Sequence, residues 1–139
     1  MQNKVKDIIL GTAQFGYEYG INNSKKPDQG LVFEMLEIAY ENGIRYLDSA
    51  EAYGHSLPLI SEFHSRNSKK FRIINKISEN IDSEKIENNL YNRLKELNID
   101  RFYSVLFHSY SFMNENPYIL EKLNNLKKNN IIEKIGVSF

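Results

Sequence analysis

Residues 44–54 read IRYLDSAEAYG, an apolar run that ends in Asp48 and continues into a polar loop with a tyrosine and a glycine. Two later segments follow the same plan: residues 71–76 and 102–107 are short apolar runs with a polar residue at, or just after, the last position. Short runs rich in β-branched and aromatic residues are typical of strands. We therefore predict strands at residues 44–48, 71–76 and 102–107.

The segments around these strands show helical periodicity. Apolar residues recur at helical spacing in three sets, of which the second forms an apolar stripe and the third is expected to face inward: Leu31, Met35, Leu36 and Ala39; Ile86, Leu90, Leu94 and Leu97; and Leu120, Leu123 and Leu126. A shorter helix is predicted from Leu57 to Phe63, and outer strands from Ile8 to Thr12 and from Ile135 to Ser138. The order βαβαβαβαβ is typical of a parallel sheet buried on both faces in an α/β protein.

The spacing of the polar strand ends favours one of two architectures, a (β/α)₈ barrel over an open doubly wound sheet. Asp48, Lys76 and His108 stand 28 and 32 residues apart (76 − 48 and 108 − 76), one βα unit each time. Barrel enzymes carry their chemistry at several successive strand ends, whereas an open sheet binds its ligand at one switch point. No Gly-x-Gly-x-x-Gly fingerprint follows any strand. We predict a (β/α)₈ TIM barrel truncated to about four βα units plus a fifth strand, with residues 1–139 forming one partial domain.

The composition excludes several classes of protein and site. Lys+Arg and Asp+Glu both number 18, so the zero net charge argues against nucleic acid and anionic membranes as partners. The absence of cysteine excludes disulfides and thiolate chemistry, and we predict no metal site. The polar first seven residues show no signal peptide, and no apolar run approaches the roughly 20 residues of a membrane span, so a cytoplasmic location is expected. His55 and His64 are predicted to be surface residues.

Four side chains are expected to meet at one end of the barrel, because parallel strands bring their carboxyl ends to one face. They are Asp48, Lys76, His108 and, in the loop after Asp48, Tyr53. A lysine kept charged by an aspartate makes a neighbouring phenol a better proton donor. Such a tyrosine can protonate a developing alkoxide, while a neutral histidine orients the carbonyl. Since no protein side chain donates hydride, carbonyl reduction here implies a nicotinamide or flavin cofactor.

The stretch from Asp48 to Gly54, DSAEAYG, resembles the aldo-keto reductase signature at the end of the second strand, Asp-Thr-Ala-x-x-Tyr-Gly. Other segments resemble that family's motifs in the same order: Leu10-Gly11-Thr12, Asn75-Lys76, Leu90 through Leu97, Leu106-Phe107-His108 and Ile135 through Ser138. The resemblance covers essentially the whole chain. It implies the N-terminal half of an NADP-dependent TIM-barrel oxidoreductase that reduces an aldehyde or ketone to an alcohol.

The resemblance also implies a role for each motif residue. Tyr53 would be the general acid/base, Asp48 and Lys76 would tune it, and His108 would orient the substrate. The nicotinamide of NADP(H) would lie against residues of three strand ends, namely Gly11, Thr12, Asp48 and Ser138. In the family, the later strands bind the pyrophosphate and the 2′-phosphate. The 139-residue chain is therefore expected to be inactive alone.

Two alternatives stay open: a non-catalytic half-barrel that serves as a binding or assembly module derived from the family, and an open-sheet protein unrelated to reductases. The four residues argue against the first, because a protein without catalysis needs none of them. The expected partner is a small carbonyl substrate, with no nucleic acid and no membrane. In a closed barrel the first strand pairs with the eighth and the fifth with the sixth. Unpaired edges at Ile8 to Gly11 and Ile135 to Ser138 therefore predict self-association.

Overall fold

The computed structural model describes residues 8–18 and 25–139, in which five strands alternate with six helices. In chain order the elements are β1 (Ile9–Gly11), α1 (Ala13–Gly16), α2 (Gln29–Glu41), β2 (Tyr46–Ala50), α3 (Ser56–Arg66), β3 (Arg72–Ile77), α4 (Ile86–Leu97), β4 (Phe102–Phe107), α5 (Tyr110–Glu115), α6 (Pro117–Lys128) and β5 (Ile132–Val137). Each predicted strand and helix is present, although most of the predicted bounds shift by a few residues.

The five strands form one parallel sheet in which every neighbour is also the next strand in the chain, in the order β1-β2-β3-β4-β5. The register places Asp48 opposite Gly11 on one side and opposite Ile74 on the other. Lys76 lies opposite Ala50 and Leu106. This consecutive order is that of a barrel wall and not of a doubly wound sheet, whose order reverses at a switch point.

The helices cover one face of the sheet with apolar stripes. The predicted stripe of α4 is confirmed, since Ile86, Leu90 and Leu97 are fully buried and Leu94 nearly so. In α2 the buried stripe is Val32, Leu36 and Ala39, spaced i, i+4, i+7, whereas Leu31 and Met35 are 48% and 37% exposed because they lie to one side of that stripe. Asp28 caps α2 by accepting a hydrogen bond from the Leu31 amide.

Helix α6 shows a similar one-residue shift. Ile119, Leu123 and Leu126 are buried, again at i, i+4, i+7, whereas the predicted Leu120 is only half-buried. Pro117 occupies the first turn of α6, where the amide hydrogen that proline lacks would have no partner within the helix.

Two short helices were not predicted, and the fifth strand is longer than predicted. Helix α1 begins two residues after β1, and α5 begins after Ser109, whose hydroxyl accepts a hydrogen bond from the Phe112 amide. Strand β5 begins at Ile132, three residues before the predicted Ile135. All three are short elements whose limits depend on neighbouring elements more than on local periodicity.

The outer strands each have one neighbour, β2 for β1 and β4 for β5, within the described sheet. Ile8 and Ile9 beside the first edge are about half exposed. No helix in the described part of the chain is long and apolar enough to cross a membrane. The prediction that the first seven residues contain no signal peptide falls outside the described residues.

The prediction that His64 is a surface residue was wrong, whereas His55 is exposed as expected. His64 on α3 is fully buried and links two other elements. Its Nε2 accepts a hydrogen bond from the Phe71 amide at 3.0 Å, and its Nδ1 lies 2.8 Å from the Leu97 carbonyl oxygen at the end of α4. Since Nε2 is the acceptor, Nδ1 carries the proton and the ring is neutral. Burial lowers the pKa of His64, against the opposing effect of the Leu97 hydrogen bond.

This lowered pKa predicts a pH dependence of stability. The unfolded chain takes up a proton on His64 near the ordinary pKa of 6.5, while the folded chain resists it to lower pH. The contribution of His64 should therefore be complete above pH 6.5 and be lost as the pH falls through the lower pKa of the folded state. Urea denaturation between about pH 8 and pH 5 measures the free energy of unfolding. His64→Gln should remove this component of the slope, and an identical slope in that variant would contradict the prediction.

Candidate active site

The structure joins Asp48 of β2 and Lys76 of β3 near the carboxyl ends of their strands. The Lys76 ammonium lies 2.6 Å from Oδ1 and 2.7 Å from Oδ2 of Asp48, so it donates to both carboxylate oxygens. Lys76 is only 7% exposed, whereas the Asp48 side chain is 34% exposed. A lysine this buried keeps its charge only beside a compensating anion. The ammonium of Lys76 is thus shielded from solvent, whereas the carboxylate of Asp48 is partly exposed.

Tyr53 lies in the loop between β2 and α3 and is the third member of this group. The Lys76 Nζ atom is 5.3 Å from the centroid of the Tyr53 ring. The loop turns tightly, since the Tyr53 amide donates to the Ala50 carbonyl at 3.0 Å, and Gly54 adopts φ +53°, a left-handed conformation that suits glycine. Lys76 is therefore the cation nearest to both the carboxylate of Asp48 and the ring of Tyr53, as the sequence predicted from parallel strand ends.

His108 lies one residue beyond β4 at the same end of the sheet. Lys76 is paired with Leu106 across β3 and β4, so His108 stands two residues beyond the position opposite Lys76. The imidazole is exposed. The structure thus brings Asp48, Lys76 and His108 to the carboxyl end of the sheet, and Asp48 and Lys76 are in direct contact.

The four residues expected to line a nicotinamide differ in their exposure and in their hydrogen bonds. Gly11 ends β1 opposite Asp48, is exposed, and a Cβ atom there would meet nothing within 4 Å. Ser138 follows β5 and is held by a hydrogen bond from its amide to the Phe107 carbonyl at 2.9 Å. Thr12 is fully buried, and its hydroxyl donates to the Asp48 carbonyl at 3.0 Å. The Thr12 hydroxyl therefore stabilises the backbone of β2 from behind the site.

Two residues of this region were missed by the sequence analysis. Ser56, the first residue of α3, is fully buried and donates its hydroxyl to the Thr12 hydroxyl at 2.7 Å. Gly16 packs so closely against the Tyr53 carbonyl that a Cβ atom would lie 1.7 Å from that oxygen. The available signal was weak: a serine three residues after Tyr53 and a glycine five residues after Gly11 are ordinary loop residues until the elements are packed.

The arrangement supports proton transfer to an oxygen atom. Tyr53 provides a hydroxyl donor, Lys76 a nearby positive charge that stabilises negative charge as it develops, and Asp48 the counter-ion that retains the lysine. Within residues 8–18 and 25–139, no three histidine, aspartate or glutamate side chains lie together in a way that could hold a metal ion.

Solved structures of aldo-keto reductases resemble this fold. A putative aldo-keto reductase from Pseudomonas aeruginosa is 28% identical, with a TM-score of 0.77 over 94% of this chain and 54% of its own. AKR11C1 from Bacillus halodurans, solved in a holo form, is 17% identical, with a TM-score of 0.72 over 99% of this chain and 49% of its own. The glycerol dehydrogenase AKR11B4 from Gluconobacter oxydans is 21% identical, with a TM-score of 0.71 over 93% of this chain and 43% of its own.

The chain thus spans about half the length of these structures and matches that part of their TIM barrels. No curated protein sequence matches it. The model of the aldo/keto reductase family, however, matches residues 7–139, which include all four predicted catalytic residues. The chain belongs to the aldo/keto reductase family.

Proposed function

We propose that this chain carries the catalytic residues of an NADP(H)-dependent reductase that converts an aldehyde or ketone to an alcohol. The observation that carries the proposal is the placement of Lys76, whose ammonium contacts both oxygens of Asp48 and lies 5.3 Å from the Tyr53 ring. Membership of the aldo/keto reductase family supports oxidoreductase chemistry. A half-barrel that only binds or assembles would not require a tyrosine beside this ion pair.

The reaction adds one hydride and one proton to the carbonyl group. NADPH, when bound, supplies the hydride to the carbonyl carbon. The Tyr53 hydroxyl gives its proton to the carbonyl oxygen as the C=O bond becomes C–O. Lys76 offsets the negative charge left on the phenol oxygen, and Asp48 prevents the lysine from moving away. His108 donates a hydrogen bond to the same carbonyl oxygen and so orients the substrate.

The nicotinamide would lie at the carboxyl ends of the strands against Gly11, Asp48 and Ser138, with Thr12 buried behind them. The exposed Gly11 leaves space beside Asp48, and Ser138 brings a hydroxyl to the end of β5. These residues fit the uncharged nicotinamide end of the cofactor. Lys76, which lies at the same end of the sheet, is already paired with Asp48, so it is not free to bind the cofactor's phosphates. The phosphates would need cations from elsewhere in the protein.

The complete gene product tests the proposal. We expect it to oxidise NADPH in the presence of an aldehyde or ketone. The 139-residue chain alone should bind NADPH weakly and show little or no turnover, because Lys76, the cation beside the proposed nicotinamide site, is already paired with Asp48. Fluorescence titration measures the binding, and loss of nicotinamide absorbance measures the turnover.

Two results would contradict this proposal. A complete gene product that binds NADPH but reduces no carbonyl compound in a broad panel would favour the non-catalytic module. Low-micromolar binding of NADPH by a monomer of the 139-residue chain would show that these residues hold the phosphates themselves.

We also propose a cytoplasmic protein whose partner is a small carbonyl compound, with neither nucleic acid nor membrane involved. The balanced charge of the chain supports this, with 18 basic and 18 acidic residues. The 139-residue chain alone is proposed to self-associate through β1 and β5, whose outer edges have no partner within the described sheet. Light scattering during the NADPH titration identifies which assembly binds.

A further inference from the structure

We propose that Ser56 is a positioning residue, which holds Tyr53 and Asp48 in a fixed relation to each other. The inference rests on the proposed roles of Tyr53 and Asp48. Ser56 begins α3 and touches neither the carboxylate of Asp48 nor any atom expected to react. It acts through two connections, one from its hydroxyl and one from its amide.

The hydroxyl connects Ser56 to the backbone of Asp48. It donates to the Thr12 hydroxyl at 2.7 Å, and the Thr12 hydroxyl in turn donates to the Asp48 carbonyl at 3.0 Å. The Thr12 amide donates to the same carbonyl, also at 3.0 Å. With its own proton given to Asp48, the Thr12 hydroxyl is free to accept from Ser56. The start of α3 is thereby tied to β1 and, through Thr12, to β2.

The amide connects Ser56 to Tyr53. The Ser56 amide donates to the Tyr53 carbonyl at 3.0 Å and closes the turn that carries the phenol. On its other side that carbonyl meets Gly16, where a Cβ atom would lie only 1.7 Å away. The Tyr53 carbonyl is therefore held between Gly16 and Ser56, and movement of Ser56 moves the backbone that carries the phenol.

Burial makes this connection effective. Ser56, Thr12 and the neighbouring Ser49 are all fully buried, so water does not compete for their hydroxyls. The Ser49 hydroxyl lies 3.4 Å from that of Ser56, at the outer limit of a hydrogen bond, and so contributes little. Because displacement of a catalytic group by about 1 Å can cost about 10²-fold in rate, a fixed backbone at Tyr53 matters for the proposed chemistry.

The test measures whether Tyr53 still senses Lys76 when the hydroxyl of Ser56 is removed. The 139-residue chain is labelled with ¹³C in the tyrosine rings, and the Tyr53 signal is assigned by its loss in Tyr53→Phe. Lys76→Met should shift that signal, because the cation lies 5.3 Å from the ring. In a Ser56→Ala background, the same Lys76→Met change should shift the signal by less than half as much.

Thr12→Val gives a second, nearly isosteric route to the same loss. It removes the acceptor of the Ser56 hydrogen bond and also the bond from the Thr12 hydroxyl to the Asp48 carbonyl, so it should reduce the response of Tyr53 to Lys76→Met at least as much as Ser56→Ala does. The double variant should match Thr12→Val alone, because Thr12→Val already removes the bond that Ser56→Ala removes. The matched control is Ser61→Ala on the same helix, whose hydroxyl donates to the Glu96 carbonyl of α4 and should leave the response intact.

A full response in both Ser56→Ala and Thr12→Val would overturn the positioning role while leaving the proposed function in place. A Tyr53 signal that ignores Lys76→Met in the unmodified chain would overturn both, since the contact on which both depend would be absent. A reduced response in Ser61→Ala equal to that in Ser56→Ala would also overturn the inference, because any loosening of α3 would then suffice.

Discussion

Tyr53→Phe in the complete gene product is expected to lower kcat for carbonyl reduction by about 10²- to 10⁴-fold, the contribution of a positioned general acid. The phenol acts on the carbonyl oxygen only as the bond order changes, so its loss removes an interaction of the transition state. The affinity for NADPH should change little. Phenylalanine retains the ring that faces the Lys76 ammonium at 5.3 Å, so the loop should keep its conformation.

Stopped-flow measurement of NADPH oxidation, with the cofactor affinity determined by titration, separates these two effects. Tyr91→Phe is the matched control, because Tyr91 is a half-exposed tyrosine on the outer helix α4. Its kcat should equal that of the unmodified enzyme. Retention of more than about a tenth of kcat in Tyr53→Phe would assign the proton to another donor.

Lys76→Met should reduce kcat by a similar factor, about 10²-fold or more, and should also destabilise the protein. Methionine fills the same volume but leaves the Asp48 carboxylate without the ammonium that now contacts both of its oxygens. Breaking a fully buried pair costs about 3–5 kcal/mol. The cost here should be smaller, because the Asp48 side chain is 34% exposed and water can reach it.

A double variant separates the loss of charge from the loss of stability. Asp48→Asn combined with Lys76→Met removes both charges, so the melting temperature should rise above that of Lys76→Met alone. Reductase activity should stay at the level of Lys76→Met, since the cation beside Tyr53 is still missing. Recovery of activity together with stability would show that Lys76 only maintains the fold.

Local patterns in the sequence determined the order of the strands and of the four longer helices, and the strand positions of the site. The apolar stripe from Ile86 to Leu97 predicts α4 because burial of one helix face requires spacing near 3.6 residues. The polar residues Asp48 and Lys76 at successive strand ends predict convergence, because all strands of a parallel barrel wall point the same way. Both conclusions depend only on patterns that repeat along the chain, namely the spacing of apolar residues in a helix and the polar residues at successive strand ends.

Only the tertiary structure decided which residues are buried at the ends of elements. His64 was predicted to be exposed, yet the packing of α3 against β3 and α4 buries it between the Phe71 amide and the Leu97 carbonyl. Leu31 belongs to the apolar residues at helical spacing, yet it is 48% exposed while Val32 beside it is fully buried. Periodicity alone does not determine such positions, because the packing of each helix decides which part of its apolar surface faces the sheet.

The same division applies to the site. The residue types that can transfer a proton were recognisable from the motif DSAEAYG and from Lys76. The connections that position them join residues far apart in the chain, such as Thr12 to Ser56, 44 residues away, and Gly16 to Tyr53. Nothing in the sequence identifies the partner of Ser56 or of Gly16. Each of them acts through one short contact, which exists only after β1, β2 and α3 have packed together.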